Sequence, residues 1–168
     1  MKDMLPQIKK ILFATDFSKN SAYAFYYAIH MAKRDEAKLV ILHAVEPLPP
    51  MTIAFEDFLH KVAKDRWEDT VKKIKERLQE FSKKVDAEMG ISSLDLVSNV
   101  LIRLGHPVEE ILKAVDEEGC DVIILGSHGK GFLKQTLLGS VSNSVLLRTR
   151  KPVFVVPLPS EDTDIDLI

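Results

Sequence analysis

Short apolar runs dominate the pattern of hydrophobic and polar positions along the 168-residue chain. Three of them lie at 11–14, 39–42 and 122–125, and none alternates apolar with polar residues. Continuous runs of this length are typical of parallel strands that helices cover on both faces. The segments SSLDLVSNVLIRLG and PVFVVP predict two further strands, of which the first lies nearer the edge of the sheet.

Segments with helical periodicity separate these runs. Ser18 is a plausible N-cap for a helix over KNSAYAFYYAIHMAKRD, and SVSNSVLLRTR predicts a helix that begins near Gly139. In GHPVEEILKAVDEEG, Pro107 suits the first turn of a helix and Gly119 suits its end. The longest pattern runs from Phe55 to Met89. It favours a helix packed against the sheet, with a dimerising coiled coil as the alternative.

The elements therefore alternate as β-α-β-α-β-α-β-α-β in one α/β domain over residues 1–158. Such alternation predicts an open, mostly parallel sheet with helices on both faces. Ligands of these folds bind beyond the carboxyl ends of the strands, where the strand order reverses. Residues 159–168 form an acidic tail, which we expect to be flexible.

Composition narrows the classes of partner. The formal net charge is −2, so no overall field draws the chain to nucleic acid or to an anionic membrane. No apolar stretch approaches the roughly 20 residues that span a bilayer. The single cysteine excludes an internal disulfide, and the amino-terminal segment lacks the apolar region of a secretory signal. These features predict a cytoplasmic protein.

The stretch GSHGKGFLKQTLLGS is the strongest sign of a binding function. Gly126, Gly129 and Gly131 allow the backbone to approach a ligand closely, and successive N–H groups in such a loop suit an anion. Gly139 and Ser140 open the next helix, whose amino-terminal amides also favour phosphate. Glycines that only shape the loop are the alternative explanation. The spacing matches neither the dinucleotide fingerprint nor the Walker A motif.

The run G-S-H-G, nine residues and then G-S resembles the signature of the universal stress protein family, in its ATP-binding branch. The resemblance extends from KKILFATDFS, with Asp16 after the first strand, through ILHAVEP to KPVFVVP. Two positions depart from the family pattern: Ala14 stands where proline is frequent, and Ala44 where valine is frequent. Both would contribute backbone atoms, so neither puts binding in doubt.

This resemblance implies a flavodoxin-like, Rossmann-like sheet of order 3-2-1-4-5 and an adenine nucleotide, ATP with Mg or Mn, at the strand ends. Asp16 would lie near the ribose or a metal-bound water, and Ala44 would meet the adenine through its backbone. The family commonly pairs two subunits through the last strand, here Val153, Phe154, Val155 and Val156. The nucleotide-binding residues that it implies are Ala14, Thr15, Asp16, Ala44, Gly126, Ser127, Gly129, Lys130, Gly131, Gly139, Ser140, Val141 and Ser142.

The remaining candidate residues give weaker evidence of a catalytic or binding role. Ser127 and His128 lack the G-x-S-x-G context of a nucleophile, so we assign no catalytic residue. We expect His43 to be a hydrogen-bonded core histidine and Cys120 to be inert. Lys130 neutralises phosphate or is simply solvated. The expected function is an ATP-binding regulatory switch in stress response, with slow or no hydrolysis. A nucleotide hydrolase or transferase and a nucleotide-free dimeric adaptor are the alternatives, and any protein partner is open.

Overall fold

A computed structural model describes residues 6–47, 56–128 and 138–159, with the side chains of 56–65 excluded. Three predicted features lie outside these residues: Phe55 at the start of the long helix, the glycine-rich positions 129–137, and residues 160–168 of the acidic tail. Among the described residues, no helix is long and apolar enough to cross a membrane.

Strands and helices alternate along the described chain in the predicted order. A short 3₁₀ turn, Ser93–Leu96, precedes the third strand. The elements are β1 (Lys10–Ala14), α1 (Lys19–Arg34), β2 (Lys38–Val45), α2 (Glu56–Met89), β3 (Val97–Leu104), α3 (Pro107–Glu117), β4 (Val122–Gly126), α4 (Ser140–Arg148) and β5 (Val153–Val156).

The strands form one parallel sheet of order β3-β2-β1-β4-β5. This confirms the predicted fold class and strand order. It also confirms that β3 lies at an edge, where it pairs with β2 alone within the described sheet. The order reverses between β1 and β4, so the two halves of the sheet are wound in opposite directions from β1.

Two hydrophobic clusters cover the two faces of the sheet. Alternate residues of β1 point to opposite faces, so Ile11 packs in one cluster and Leu12 in the other. The first cluster lies under α1 and α2, and the second lies under α3 and α4. Because β1, β2 and β4 are buried on both faces, their sequences are continuously apolar rather than alternating.

The long helix α2 packs on the sheet through its carboxyl-terminal half. Leu78, Phe81 and Val85 are buried in the first cluster, and the Phe81 ring lies 5.2 Å from that of Phe25 in α1. The predicted packing against the sheet is confirmed for this half of the helix. Gly90 ends it with a φ of +64°, a conformation that glycine adopts at little cost.

The predicted start of α1 is confirmed in detail. Ser18 has extended backbone angles, and its hydroxyl accepts a hydrogen bond from the Ser21 amide at 3.2 Å. This is the geometry of a serine N-cap. Because only four residues lie between β1 and α1, the cap holds the β1–α1 turn at the carboxyl edge of the sheet.

Candidate functional site

A cavity of about 660 Å³ lies at the carboxyl edge of the sheet, at the point where the strand order reverses. Its size falls within the range of roughly 300–1,000 Å³ that is usual for small-molecule sites. The carboxyl ends of β1, β2 and β4 border it, together with the amino-terminal ends of α3 and α4. This is the position predicted from the sequence, because ligands of parallel sheets bind beyond the carboxyl ends of the strands.

Most of the described candidate residues line this cavity. They are Ala14, Thr15, Asp16, Ala44, Gly126, Gly139, Ser140, Val141 and Ser142. Ser127 is buried behind the lining. Gly129, Lys130 and Gly131 lie outside the described residues.

The β1–α1 turn is held by bonds within the turn. The Thr15 amide donates to the Leu42 carbonyl at 2.9 Å, and the Thr15 hydroxyl accepts from the Phe17 amide at 3.1 Å. One oxygen of the Asp16 carboxylate accepts from the Ser18 amide at 3.0 Å. Phe17 has a φ of +60°, which is uncommon for a bulky residue and marks a sharp turn. These bonds fix the Asp16 carboxylate at the cavity wall.

The amino-terminal end of α4 presents backbone donors to the cavity. The first bond of the helix runs from the Asn143 amide to the Gly139 carbonyl at 2.9 Å. The amides of Ser140, Val141 and Ser142 therefore precede the hydrogen-bonded ladder of α4, and all three residues line the cavity. Together with the helix dipole, these donors favour a negatively charged group.

Ala44 presents its backbone to the same space from β2. Leu42 directs its carbonyl toward the β1 side, where it accepts from Thr15, and Val45 directs its carbonyl to the β3 side, where it accepts from Gly105 at 2.9 Å. In a parallel strand, the backbone N–H and C=O groups of every second residue point to the same neighbouring strand. The N–H and C=O of Ala44 thus point to the β1 side, beyond the last residue of β1, Ala14.

The cavity has an apolar sector and a polar sector. Leu42, Val108 and Ile111 line it where β2 faces α3, whereas Asp16 and the serines of α4 line the opposite part. The α3 wall, which also includes His106 and Pro107, was missed by the sequence reasoning. The available signal was that Pro107 begins a helix directly after β3, at the same edge of the sheet.

The first residues of the glycine stretch, 126–128, belong to a buried cluster of polar groups at this edge of the sheet. The Ser127 hydroxyl donates to the Asn20 side-chain oxygen at 3.0 Å and lies 2.9 Å from His128 Nδ1. The Ser142 hydroxyl donates to the Gly126 carbonyl at 2.7 Å. The family resemblance implies both serines as nucleotide-binding residues, yet both hydroxyls are bonded to the protein in this structure.

Asn20 was also missed, and its packing favours glycine at position 126. A Cβ on Gly126 would lie 3.1 Å from both the backbone carbon and the side-chain Cγ of Asn20. This close packing explains the glycine without a ligand. The signal in the sequence was a polar residue at helical spacing from Ala24 and Ala28, on the buried face of α1.

The histidines near the cavity are engaged in local contacts. His43 Nδ1 lies 2.7 Å from the Thr15 carbonyl, and its ring lies 4.6 Å from that of Phe17. The expected hydrogen bond of His43 is confirmed, although the residue also borders the cavity. No group of three or more His, Cys, Asp or Glu residues suited to a metal ion occurs in the described part of the chain.

Comparison with known proteins places this geometry in a family. The family model described as "Universal stress protein family" matches residues 7–157. Universal stress protein MJ0577 of Methanocaldococcus jannaschii is 34% identical over 162 residues, covering 88% of this chain and 94% of that protein. Universal stress protein YxiE of Bacillus subtilis is 34% identical over 154 residues, covering 88% of this chain and 97% of YxiE.

Solved structures of universal stress proteins share the fold of this chain. The structure of MJ0577 superposes with a TM-score of 0.66 at 30% identity, over 92% of this chain and 99% of that chain. Two more distant universal stress proteins share the fold. One was crystallised with cAMP, at a TM-score of 0.58 and 20% identity, over 90% of this chain and 98% of its own. The other, from Archaeoglobus fulgidus, was crystallised with dAMP, at 0.55 and 19%, over 90% of this chain and 99% of its own.

Proposed function

The chain belongs to the universal stress protein family, and we propose that it is an ATP-binding regulatory module that acts as a nucleotide-dependent switch in stress response. One observation carries the proposal. A cavity with an apolar sector at β2 and α3 is also lined by the first residues of α4, whose amides have no acceptor within the helix. An apolar sector suits a nucleobase, and the amides suit its phosphates.

The backbone of Ala44 supports adenine as the base. Its N–H and C=O point into the space beyond the end of β1, between Ala14 and the α3 wall. Adenine offers an N6 donor beside an N1 acceptor, which complements an adjacent carbonyl and amide. Guanine presents the reverse pattern on that edge, with an O6 acceptor and an N1 donor. This pairing therefore selects ATP against GTP.

The phosphates would lie against the amides of Ser140, Val141 and Ser142, with Gly126 and Gly139 on the two sides of that space. Mg or Mn would accompany the nucleotide, and the Asp16 carboxylate, which lines the same polar sector, would reach the ion through a water molecule. The cAMP and dAMP complexes of two distant family members support an adenine nucleotide as the ligand class.

Titration calorimetry with ATP and GTP in magnesium buffer tests this proposal. We expect saturable binding of ATP and an affinity for GTP that is about tenfold lower or worse, which corresponds to about 1.4 kcal/mol. Equal affinities would contradict the role of Ala44. Absence of binding by either nucleotide would contradict the proposed function itself.

We also propose a homodimer through β5. This strand ends the sheet, so its outer N–H and C=O groups have no strand partner within the described chain. Phe154 is 39% exposed, and its ring centroid lies 5.9 Å from that of Tyr27 in α1, which is 40% exposed. An apolar edge of this kind is usually covered or paired. A second copy of β5 across a two-fold axis would pair Val153, Phe154, Val155 and Val156 with themselves.

Light-scattering mass at micromolar concentration tests the dimer. We expect twice the monomer mass of 18.9 kDa for the wild type. Val155→Asp should shift the protein toward monomer, because it buries a charge at the interface. Leu104→Asp is the matched control, since Leu104 is an exposed apolar residue of the opposite edge strand. A monomeric wild type, or equal dissociation by both variants, would contradict pairing through β5.

Hydrolysis of ATP is expected to be slow and not the main output. The Asp16 carboxylate already accepts the Ser18 amide, and His43 and His128 are bonded to Thr15 and Ser127. None of these groups is arranged in the described structure to activate water. A turnover near the ordinary enzymatic value of about 10 per second would contradict this expectation.

A further inference from the structure

We propose that Asn20 is a positioning residue for the phosphate side of the cavity, which it holds against β5 without touching the ligand. This inference rests on the proposed function, because it concerns how that site is built. Asn20 is 3% exposed and is not part of the cavity lining. Any effect of Asn20 on binding must therefore act through the residues to which it is bonded.

The Asn20 side chain joins α1, the start of the glycine stretch and the end of β5. Its Nδ2 donates to the Val156 carbonyl at 2.8 Å. Its Oδ1 accepts from the His128 amide at 2.7 Å and from the Ser127 hydroxyl at 3.0 Å. The Val156 carbonyl also accepts the Ser127 amide at 2.8 Å. Four hydrogen bonds thus satisfy these polar groups in one cluster.

Only a carboxamide of this length satisfies both ends of the cluster. An amide N–H such as that of His128 always donates, and a carbonyl such as that of Val156 always accepts. The two partners therefore determine which end of the Asn20 amide is nitrogen. A carboxylate at this position would keep the bond to His128 and turn an oxygen toward the Val156 carbonyl. An apolar side chain would leave the His128 amide without its partner.

The cluster reaches α4 through two short bonds. The Ser127 carbonyl accepts the Gly139 amide at 2.6 Å, and the Gly126 carbonyl accepts the Ser142 hydroxyl at 2.7 Å. Gly139 and Ser142 both line the cavity. The backbone at 126–128 consequently connects Asn20 with the first turn of α4, which presents the amides to the ligand. Displacement of this backbone should move those donors relative to the phosphates.

The base side of the cavity is built independently of Asn20. Ala44 is positioned by β2, and the α3 wall is positioned by the cluster of Val108 and Ile111. Loss of Asn20 should therefore weaken the binding of a nucleotide and leave the binding of its nucleoside almost unchanged. A residue that merely stabilised the fold would produce no such difference.

The experiment measures the affinities of ATP and adenosine by calorimetry for the wild type, Asn20→Ala and Asn20→Asp. Asn20→Asp retains the shape and the acceptor of asparagine, but it replaces the donor to Val156 with a carboxylate oxygen, so it covers the case in which Asn20→Ala does not fold. Asn99→Ala is the control, because Asn99 is an exposed asparagine on β3, remote from the cavity.

We expect both Asn20 variants to bind ATP about tenfold or more weakly, the loss for one buried hydrogen bond, with adenosine affinity within about twofold of wild type. Asn99→Ala should match the wild type for both ligands. ATP affinity within about twofold of wild type in the Asn20 variants, or an equal loss for ATP and adenosine, would overturn the positioning role. A wild type that binds neither ligand would instead contradict the proposed function, and this inference with it.

Discussion

The strands begin at one end of the sheet, the amino edge, and finish at the other, the carboxyl edge. The polar groups at these two edges have different hydrogen-bond partners. At the amino edge, the chain pairs them with one another. One Asp121 carboxylate oxygen accepts the amides of Lys9 and Lys10 at 2.7 and 2.9 Å. The Lys10 and Lys38 ammonium groups donate to the carbonyls of Glu118 and Asp95, each at 2.8 Å. These bonds join β1 to β4 and β2 to the turn before β3.

At the carboxyl edge, donors remain directed into a cavity. The amides of Ser140, Val141 and Ser142 precede the ladder of α4, and the backbone of Ala44 extends past the end of β1. Unpaired backbone groups cost stability unless water or a ligand satisfies them. Under the proposed function, the amino edge serves the fold and the carboxyl edge serves binding, so substitutions at the two edges should affect different measurements.

The largest expected effect is the loss of binding in Gly139→Val. Gly139 lines the cavity at the N-cap of α4, with φ −66° and ψ 159°, angles that any residue adopts. The helix should therefore form, while the added side chain crowds the phosphate space. We expect ATP affinity to fall about 100-fold or more, by calorimetry, with native far-ultraviolet circular dichroism. Gly139→Ala should give a smaller loss. Unchanged affinity in Gly139→Val would contradict the phosphate assignment.

The next effect is the converse, a loss of stability without a loss of binding, in Asp121→Ala. This change removes the acceptor of two backbone amides at the amino edge. We expect the free energy of unfolding in urea to fall by about 2 kcal/mol, with ATP affinity unchanged. Asp116→Ala is the control, because Asp116 is exposed on α3. A fall in ATP affinity specific to Asp121→Ala would contradict the separation of the two edges.

The smallest effect concerns Cys120, which is buried at the amino edge just before β4. Burial raises the pKa of its thiol from 9.0 to about 11. Below about pH 9 the thiol is protonated in both states, so its contribution to stability is fully present. As the pH rises toward 11, the unfolded chain loses its proton first, and this contribution is lost.

Urea unfolding at about pH 8 and about pH 10.5 measures this loss. We expect the wild type to lose about 1.8 kcal/mol more stability between the two pH values than Cys120→Ala, which has no thiol to titrate. The difference between the two proteins removes the contribution of all other groups that titrate in this range. An equal loss in both proteins would show that the Cys120 thiol is not held protonated by the fold.

Periodicity was sufficient to predict the elements and their order, because buried parallel strands and amphipathic helices each impose a local pattern. The N-cap at Ser18 and the terminating Gly90 and Gly119 were also local, and the two glycines have φ values of +64° and +63°. The strand order 3-2-1-4-5 came from the family resemblance and is confirmed. The rule that ligands bind beyond the carboxyl ends of parallel strands also predicted the position of the cavity that most of the described candidate residues line.

What the sequence did not predict depends on contacts between distant residues. Asn20 bonds with Val156 and His128, which are more than a hundred positions away, and no local pattern names such partners. The same contact gives Gly126 a packing reason that differs from the expected approach to phosphate. Ser127 was expected to face the ligand, yet its hydroxyl turns to Asn20, because a side chain's direction depends on its buried neighbours.

Backbone amide mapping by NMR tests the central claim most directly. Titration of the ¹⁵N-labelled protein with MgATP should shift the amide signals of Ser140, Val141, Ser142 and Ala44 at the carboxyl edge. The amides of Lys10, Lys38 and Asp121 at the amino edge should keep their positions, because their bonds within the chain leave no site for a ligand. Binding of ATP that shifts the amino-edge amides and leaves those of α4 unchanged would contradict the account.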